Sequence, residues 1–231
     1  MKLFNLKNLL AGAAILGASL QASAIPFSVD ITVDNSYALY YGTQSAASTF
    51  VGADGDWPSV EHYDFDLPVN NYIYVVTQSD LAVAQGFLAQ FTNLLTNERF
   101  YSNNAQWQVT ATGRYGSAPY NNTSAAFAEL NSQLVLANAG SNPSGGWVAT
   151  TAGNANGASP WGTLSAIDSA ARWSWYDSTH TGIDPTIGGF NHDEYLIFRI
   201  SVGASSVPEP SSVFLFALGL IGLGLARRYK A

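Results

Sequence analysis

Apolar and polar residues change places at every second position in run after run of this chain, which is the period of a half-buried β-strand. Val29, Ile31 and Val33 alternate with Asp30, Thr32 and Asp34, and Trp107, Val109 and Ala111 alternate with Gln108 and Thr110. Leu196, Phe198, Ile200 and Val202 share a face of the run from Tyr195 to Val202. Further strands are predicted at 37–41, 62–67, 72–76 and 172–176, the last with Trp173 and Trp175 on one face. Leu81 to Phe91 also reads as strand because β neighbours flank it, although its alanines and leucines suit a helix. The stretch Gly42 to Pro58 is small and polar and reads as loop. So does Gly140 to Gly162, apart from Gly146-Trp147-Val148-Ala149. Ser124 to Ala139 is the clear helix, with Phe127, Leu130 and Leu134 in a stripe, Ser124 as cap and Gly140 as stop. Thr163 to Arg172 reads as a short helical turn. The alternation favours antiparallel sheets with one wet face. The expected fold is therefore mainly β: an antiparallel β-sandwich, jelly-roll-like, with one or two short helices.

The ends of the chain belong to a different physical regime. Lys2 and Lys7 precede an apolar run from Leu9 to Leu20, and Ala22-Ser23-Ala24 is a small-residue cleavage site. Residues 1–24 thus read as a secretory signal peptide cut after Ala24, which implies the general secretory machinery and signal peptidase. At the other end come Val207-Pro208-Glu209-Pro210, a charge-free run of Val, Phe, Leu, Ala, Gly and Ile, and the tip Arg227-Arg228-Tyr229-Lys230. The prolines hold an extended stretch. The run is short for a full span. With its serines and the arginine stems it still suits a transmembrane helix over 212–226, its basic tip 227–230 held in the cytoplasm.

This tail resembles the PEP-CTERM sorting signal of Gram-negative bacteria, on Pro208-Glu209-Pro210 and on Arg227 and Arg228, in that order at the C-terminus. The resemblance covers residues 207–231. It implies recognition by exosortase, a transient anchor in the inner membrane, removal of the tail, and delivery to the cell surface or to an exopolysaccharide biofilm matrix.

Residues 25–206 are left as one extracellular domain. It has no cysteine and no lysine, and four arginines against fifteen carboxylates give it a formal charge of −11. Nucleic acid and anionic lipid are poor partners for such a surface. Calcium ions and neutral sugars suit it better. The sequence has no Gly-x-Ser-x-Gly, no Walker loop and no His-Glu-x-x-His. His180 and His192 flank Asp184, with Asp193-Glu194 following, but their spacing matches no ligand set. No catalytic residue is assigned.

Two candidate sites remain in the body. Asp54, Asp56, Asp64 and Asp66, with Glu61 among them, offer oxygen ligands for calcium near a turn. They do not form an EF-hand loop, and a solvated acidic loop is the plainer reading. Trp173 and Trp175 could stack on a glycan if exposed, whereas burial makes them core. The leading expectation is a non-enzymatic surface protein, delivered by exosortase and binding extracellular polysaccharide. A polysaccharide-modifying enzyme and a purely structural surface protein are the alternatives.

Overall fold

The computed structural model describes residues 24–79, 84–115, 120–176, 185–186 and 194–203. Ala22, the sorting residues Val207, Pro208, Glu209, Pro210, Arg227 and Arg228, and the membrane helix expected over 212–226 lie outside the described residues. Ala24 opens the first strand. Among the described residues no helix is long and apolar enough to cross a membrane.

The strands are β1 (Ala24–Asp34), β2 (Ser36–Thr43), β3 (Ala46–Asp54), β4 (Glu61–Pro68), β5 (Tyr72–Gln78), β6 (Gly86–Asn93), β7 (Arg99–Tyr101), β8 (Gln108–Tyr115), β9 (Val148–Ala149), β10 (Thr151–Ala155), β11 (Arg172–Trp175) and β12 (Glu194–Ser201). Among the described residues one helix, α1 (Ser124–Asn138), follows β8. The strands form two antiparallel sheets. The first has the order β10-β11-β6-β1-β4, with β7 also paired to β6, and the second has the order β3-β2-β5-β12-β8-β9.

The period-two residues of both sheets meet in one core. Phe27, Val29, Ile31, Phe87 and Phe91 come from the first sheet, and Leu39, Val75, Trp107, Val109, Leu196 and Phe198 from the second. The strands predicted at 29–33, 37–41, 62–67, 72–76, 107–111, 172–176 and 195–202 all exist, and β6 confirms strand within 81–91.

Beyond β10, a strand inside the stretch 140–162 that reads as loop, three expectations fail. First, β3 occupies the stretch read as loop. Its Ala, Ser and Thr content looks like turn composition, but it is an edge strand paired to β2 alone and needs little apolar content. Second, residues 163–171 contain turns and no helix. Third, the sheets do not each keep one wet face. The outer face of the second sheet buries Tyr40, Tyr74, Val76 and Ile197 beneath Leu130 and Leu134 of α1. The outer face of the first buries Leu88 and Trp173 beneath Trp161, Leu164 and Ile167.

The helix is capped one residue earlier than its sequence suggests: Thr123 Oγ1 accepts the Ala126 N–H at 3.2 Å. Gly140 stops it as expected, just past the last turn at φ 68°.

The register fixes the ends of the sandwich. Ala24 faces Pro68, Phe27 faces Asn93 and Ser201 faces Tyr72 at one end, while Asp34 faces Gly86 and Tyr37 faces Asp54 at the other. The start of β1 and the end of β12 therefore lie at the same end of the sandwich.

Candidate functional site

The two tryptophans expected to stack on a sugar are both 0% exposed. Trp173 lies in the outer cluster, stacked on Trp161 with centroids 3.9 Å apart. Trp175 lies in the inner core, 5.6 Å from Phe198. They belong to different clusters, and the ladder that β11 forms with β10 is irregular here, its register shifting between Ala152 and Ala155. No sugar ring can reach either indole. Their large apolar area makes them core residues, which corrects the glycan-platform expectation.

The acidic residues also separate. The Asp54 carboxylate accepts the Asp56 N–H at 2.6 Å and closes a local turn. Glu61 accepts the Ser59 hydroxyl at 2.5 Å. Asp64 and Asp66 stand exposed on the outer face of β4, as their alternation with Phe65 and Leu67 predicts. Asp64 lies 3.4 Å from His62 Nε2, and Asp30 lies 2.7 Å from His62 Nδ1. The hydrogen bond to Asp30, helped by both carboxylate charges, raises the His62 pKa above its ordinary value despite opposing desolvation. Among the described residues no three His, Asp or Glu side chains converge as a metal site requires. His180, His192, Asp184 and Asp193 lie outside the described residues. Glu194 is buried and accepts the Gly113 N–H at 3.1 Å.

The sequence had not singled out the aromatic site that the fold assembles around Arg199. This arginine sits on β12 near the middle of the second sheet, directly between Tyr74 of β5 and Gln108 of β8, and is only 6% exposed. Its guanidinium lies 3.7 Å from the Trp147 ring centroid and 5.2 Å from that of Tyr72. Arg199 Nε donates to Gln108 Oε1 at 3.0 Å, and Nη1 donates to Asn138 Oδ1 at 2.9 Å. The same Asn138 oxygen accepts the Trp147 Nε1–H at 2.8 Å. Gly145 and Gly146, at φ 70° and 112°, turn the chain to deliver the indole, a backbone that residues with a Cβ rarely adopt. Desolvation lowers the Arg199 pKa, yet a guanidinium stays protonated at neutral pH.

Trp147 and Tyr72 keep part of their surface open. They line a groove of about 600 Å³ with Gln106, Gln108, Ala149 and Ser201, and among the described residues none that lines it carries a carboxylate. Half-exposed rings offer apolar faces, while amides and a hydroxyl offer donors and acceptors. Around the corner, past Gln106 and the exit of the chain, a smaller hollow of about 350 Å³ is lined by Phe27, Glu98, Arg99, Phe100 and Asn104.

Three sequence signals could have pointed to this groove. Arg199 is the one charge in the apolar run 195–200, Tyr72 opens a run of aromatic and β-branched residues, and Trp147 follows two glycines. Nothing in the sequence placed them side by side.

The PEP-CTERM protein-sorting motif matches residues 206–228. No curated protein and no solved structure matches the chain.

Proposed function

We propose that this chain, which carries a PEP-CTERM sorting motif over residues 206–228, is a surface-delivered, non-enzymatic protein that binds neutral extracellular polysaccharide in the groove beside Trp147. The motif marks the chain for exosortase, with export and transient membrane anchoring before display at the surface. Release into a Gram-negative exopolysaccharide matrix is the destination we assign to it. The body is read as a jelly-roll-like sandwich, since successive strands pass repeatedly between its two sheets.

One observation carries the binding reading. In a domain of formal charge −11, the groove sets the Trp147 and Tyr72 rings beside two glutamines and a serine, free of carboxylates. Aromatic faces pack on the C–H faces of sugar rings, and amides exchange hydrogen bonds with hydroxyls. A fixed arginine behind the indole holds the ring in place before any ligand arrives, which lowers the ordering cost of binding.

Residues 25–206 contain both sheets and all three apolar clusters, so the test uses that body. Its co-sedimentation with purified exopolysaccharide is measured with and without a calcium chelator. Binding should ignore chelation and weaken tenfold or more in a Tyr72→Ala, Gln106→Ala double variant, which corresponds to about 1.4 kcal/mol. Wild-type affinity in that variant would sink the reading. Shortening of the polymer during the assay would favour an enzyme instead.

A further inference from the structure

The hairpin between β6 and β7 places two leucines where turns ordinarily carry polar residues. Leu94 and Leu95 are 46% and 58% exposed at its tip. The turn beneath them is firmly built. Asn93 Oδ1 accepts the N–H groups of Leu95 and Thr96 at 2.9 and 3.3 Å, the Asn97 N–H returns to the Asn93 carbonyl at 2.8 Å, and Asn97 sits at φ 59°. A turn of Asn, Asp and Gly would satisfy this geometry equally well. The leucines are therefore not a requirement of the hairpin.

Their position gives them a use. Leu94 N–H bonds to the Pro26 carbonyl at 2.9 Å, so the tip lies beside the start of the fold. Asn93, Glu98 and Arg99 line the same hollow as Ser201, Val202 and Gly203, so the tip also lies beside the exit of the chain. From Gly203 the sequence runs through Pro208-Glu209-Pro210 to the apolar run that begins at Val213. Ten residue steps reach at most about 35 Å. A domain of this length is about 40 Å across. A tether shorter than the body keeps the attached end toward the bilayer. The tip itself is electrically balanced: Glu98 is followed by Arg99 and accepts the Thr96 hydroxyl at 3.2 Å.

We infer that Leu94 and Leu95 form a docking tip that enters the headgroup region of the bilayer while the sorting tail still anchors the chain. The acidic body has little affinity for anionic lipid by itself, so the contact depends on the tether and ends when the tail is removed. This inference rests on the anchoring stage of the proposed function.

The chain has no cysteine, so single cysteines report single places. Leu95→Cys marks the tip. Gly55→Cys marks the far end, where an added Cβ meets only the Ser36 side chain at 3.8 Å. Full-length protein carrying an environment-sensitive fluorophore at either site is reconstituted into vesicles of phosphatidylethanolamine and phosphatidylglycerol. Flotation reads anchoring, and quenching by headgroup-attached nitroxide reads contact. Quenching should be several-fold stronger at position 95 than at position 55, with a blue-shifted emission, and should vanish for the 25–206 body mixed with the same vesicles. Flotation with equal, water-like signals at both sites would overturn the docking tip alone. Failure to float would remove the tether and the docking together. Near-native circular dichroism for both labelled proteins guards against misfolding.

Discussion

Arg199 and Trp147 should depend on each other for stability, and a double-mutant cycle measures by how much. In Trp147→Ala the guanidinium loses its stacking partner at 3.7 Å, and Asn138 Oδ1 loses one of its two donors. A cation–π contact that is largely desolvated is worth about 2 kcal/mol. A hydrogen bond contributes about 1 kcal/mol. The single variant should therefore lose about 3 kcal/mol by these two effects. Arg199→Met removes the charge together with its need for partners. Replacing a buried charged group by an apolar one of similar length is often close to neutral. That variant should lose about 1 kcal/mol, mostly from leaving Gln108 Oε1 without its donor. In the double variant the cation–π term has already gone, so the combined loss should fall short of the sum by about 2 kcal/mol. Urea unfolding of the 25–206 body, followed by tryptophan fluorescence and far-ultraviolet dichroism, gives all four corners. Additivity within about 0.5 kcal/mol would refute the claim that the indole is held by the arginine.

Three further outcomes follow from the same structure. Replacing Pro208, Glu209 and Pro210 together by alanine should leave the protein in the inner membrane with its hydrophobic tail intact; export at normal mass, read by fractionation and mass spectrometry, would contradict the role of the motif. Trp173→Ala should cost about 3–5 kcal/mol of stability, as large buried aromatics do, and leave polysaccharide binding per folded molecule unchanged; a loss of binding without a loss of stability would reverse the burial argument. His62 should titrate above about 6.5 by NMR, and Asp30→Asn should bring it back toward that value. Because the folded pKa is the higher one, the stabilisation is fully present below the unfolded pKa and is lost as pH rises through the folded pKa, so urea midpoints should fall across that window in the wild type and less in Asp30→Asn.

Much of the architecture was legible in the period-two runs, because a strand with one buried face writes its alternation directly into the sequence. Val29, Ile31 and Val33 show this, and their side chains are in the core. The alternation is lost where both faces are covered. Tyr72 to Val76 and Tyr195 to Phe198 are apolar on both sides because α1 lies over the second sheet, and no local pattern announces a helix packing across strands. Composition misled at β3, where an edge position tolerates small polar residues. The candidate groove was the least legible part. Trp147, Tyr72, Gln106 and Arg199 come from separate segments, and the pairing of β12 with β5 and β8, and of β8 with β9 beside Trp147, brings them together. Trp173 and Trp175, adjacent in the pattern, turned out to serve different cores.

The place of β12 has a consequence for the timing of folding. It is the last strand among the described residues, yet it lies inside its sheet, joining β5 on one side to β8 on the other. Ile200 pairs with Ile73 and Phe198 with Val109, so its contacts close long loops, a slow class of folding event. Without it, the β3-β2-β5 and β8-β9 pieces of the second sheet share no hydrogen-bonded strand. An emerging chain therefore cannot complete its fold until Ser201 has crossed the membrane, and by then the anchoring tail is the next segment in the translocation channel. Closure of the second sheet therefore waits on the segment that directly precedes the sorting motif at residues 206–228.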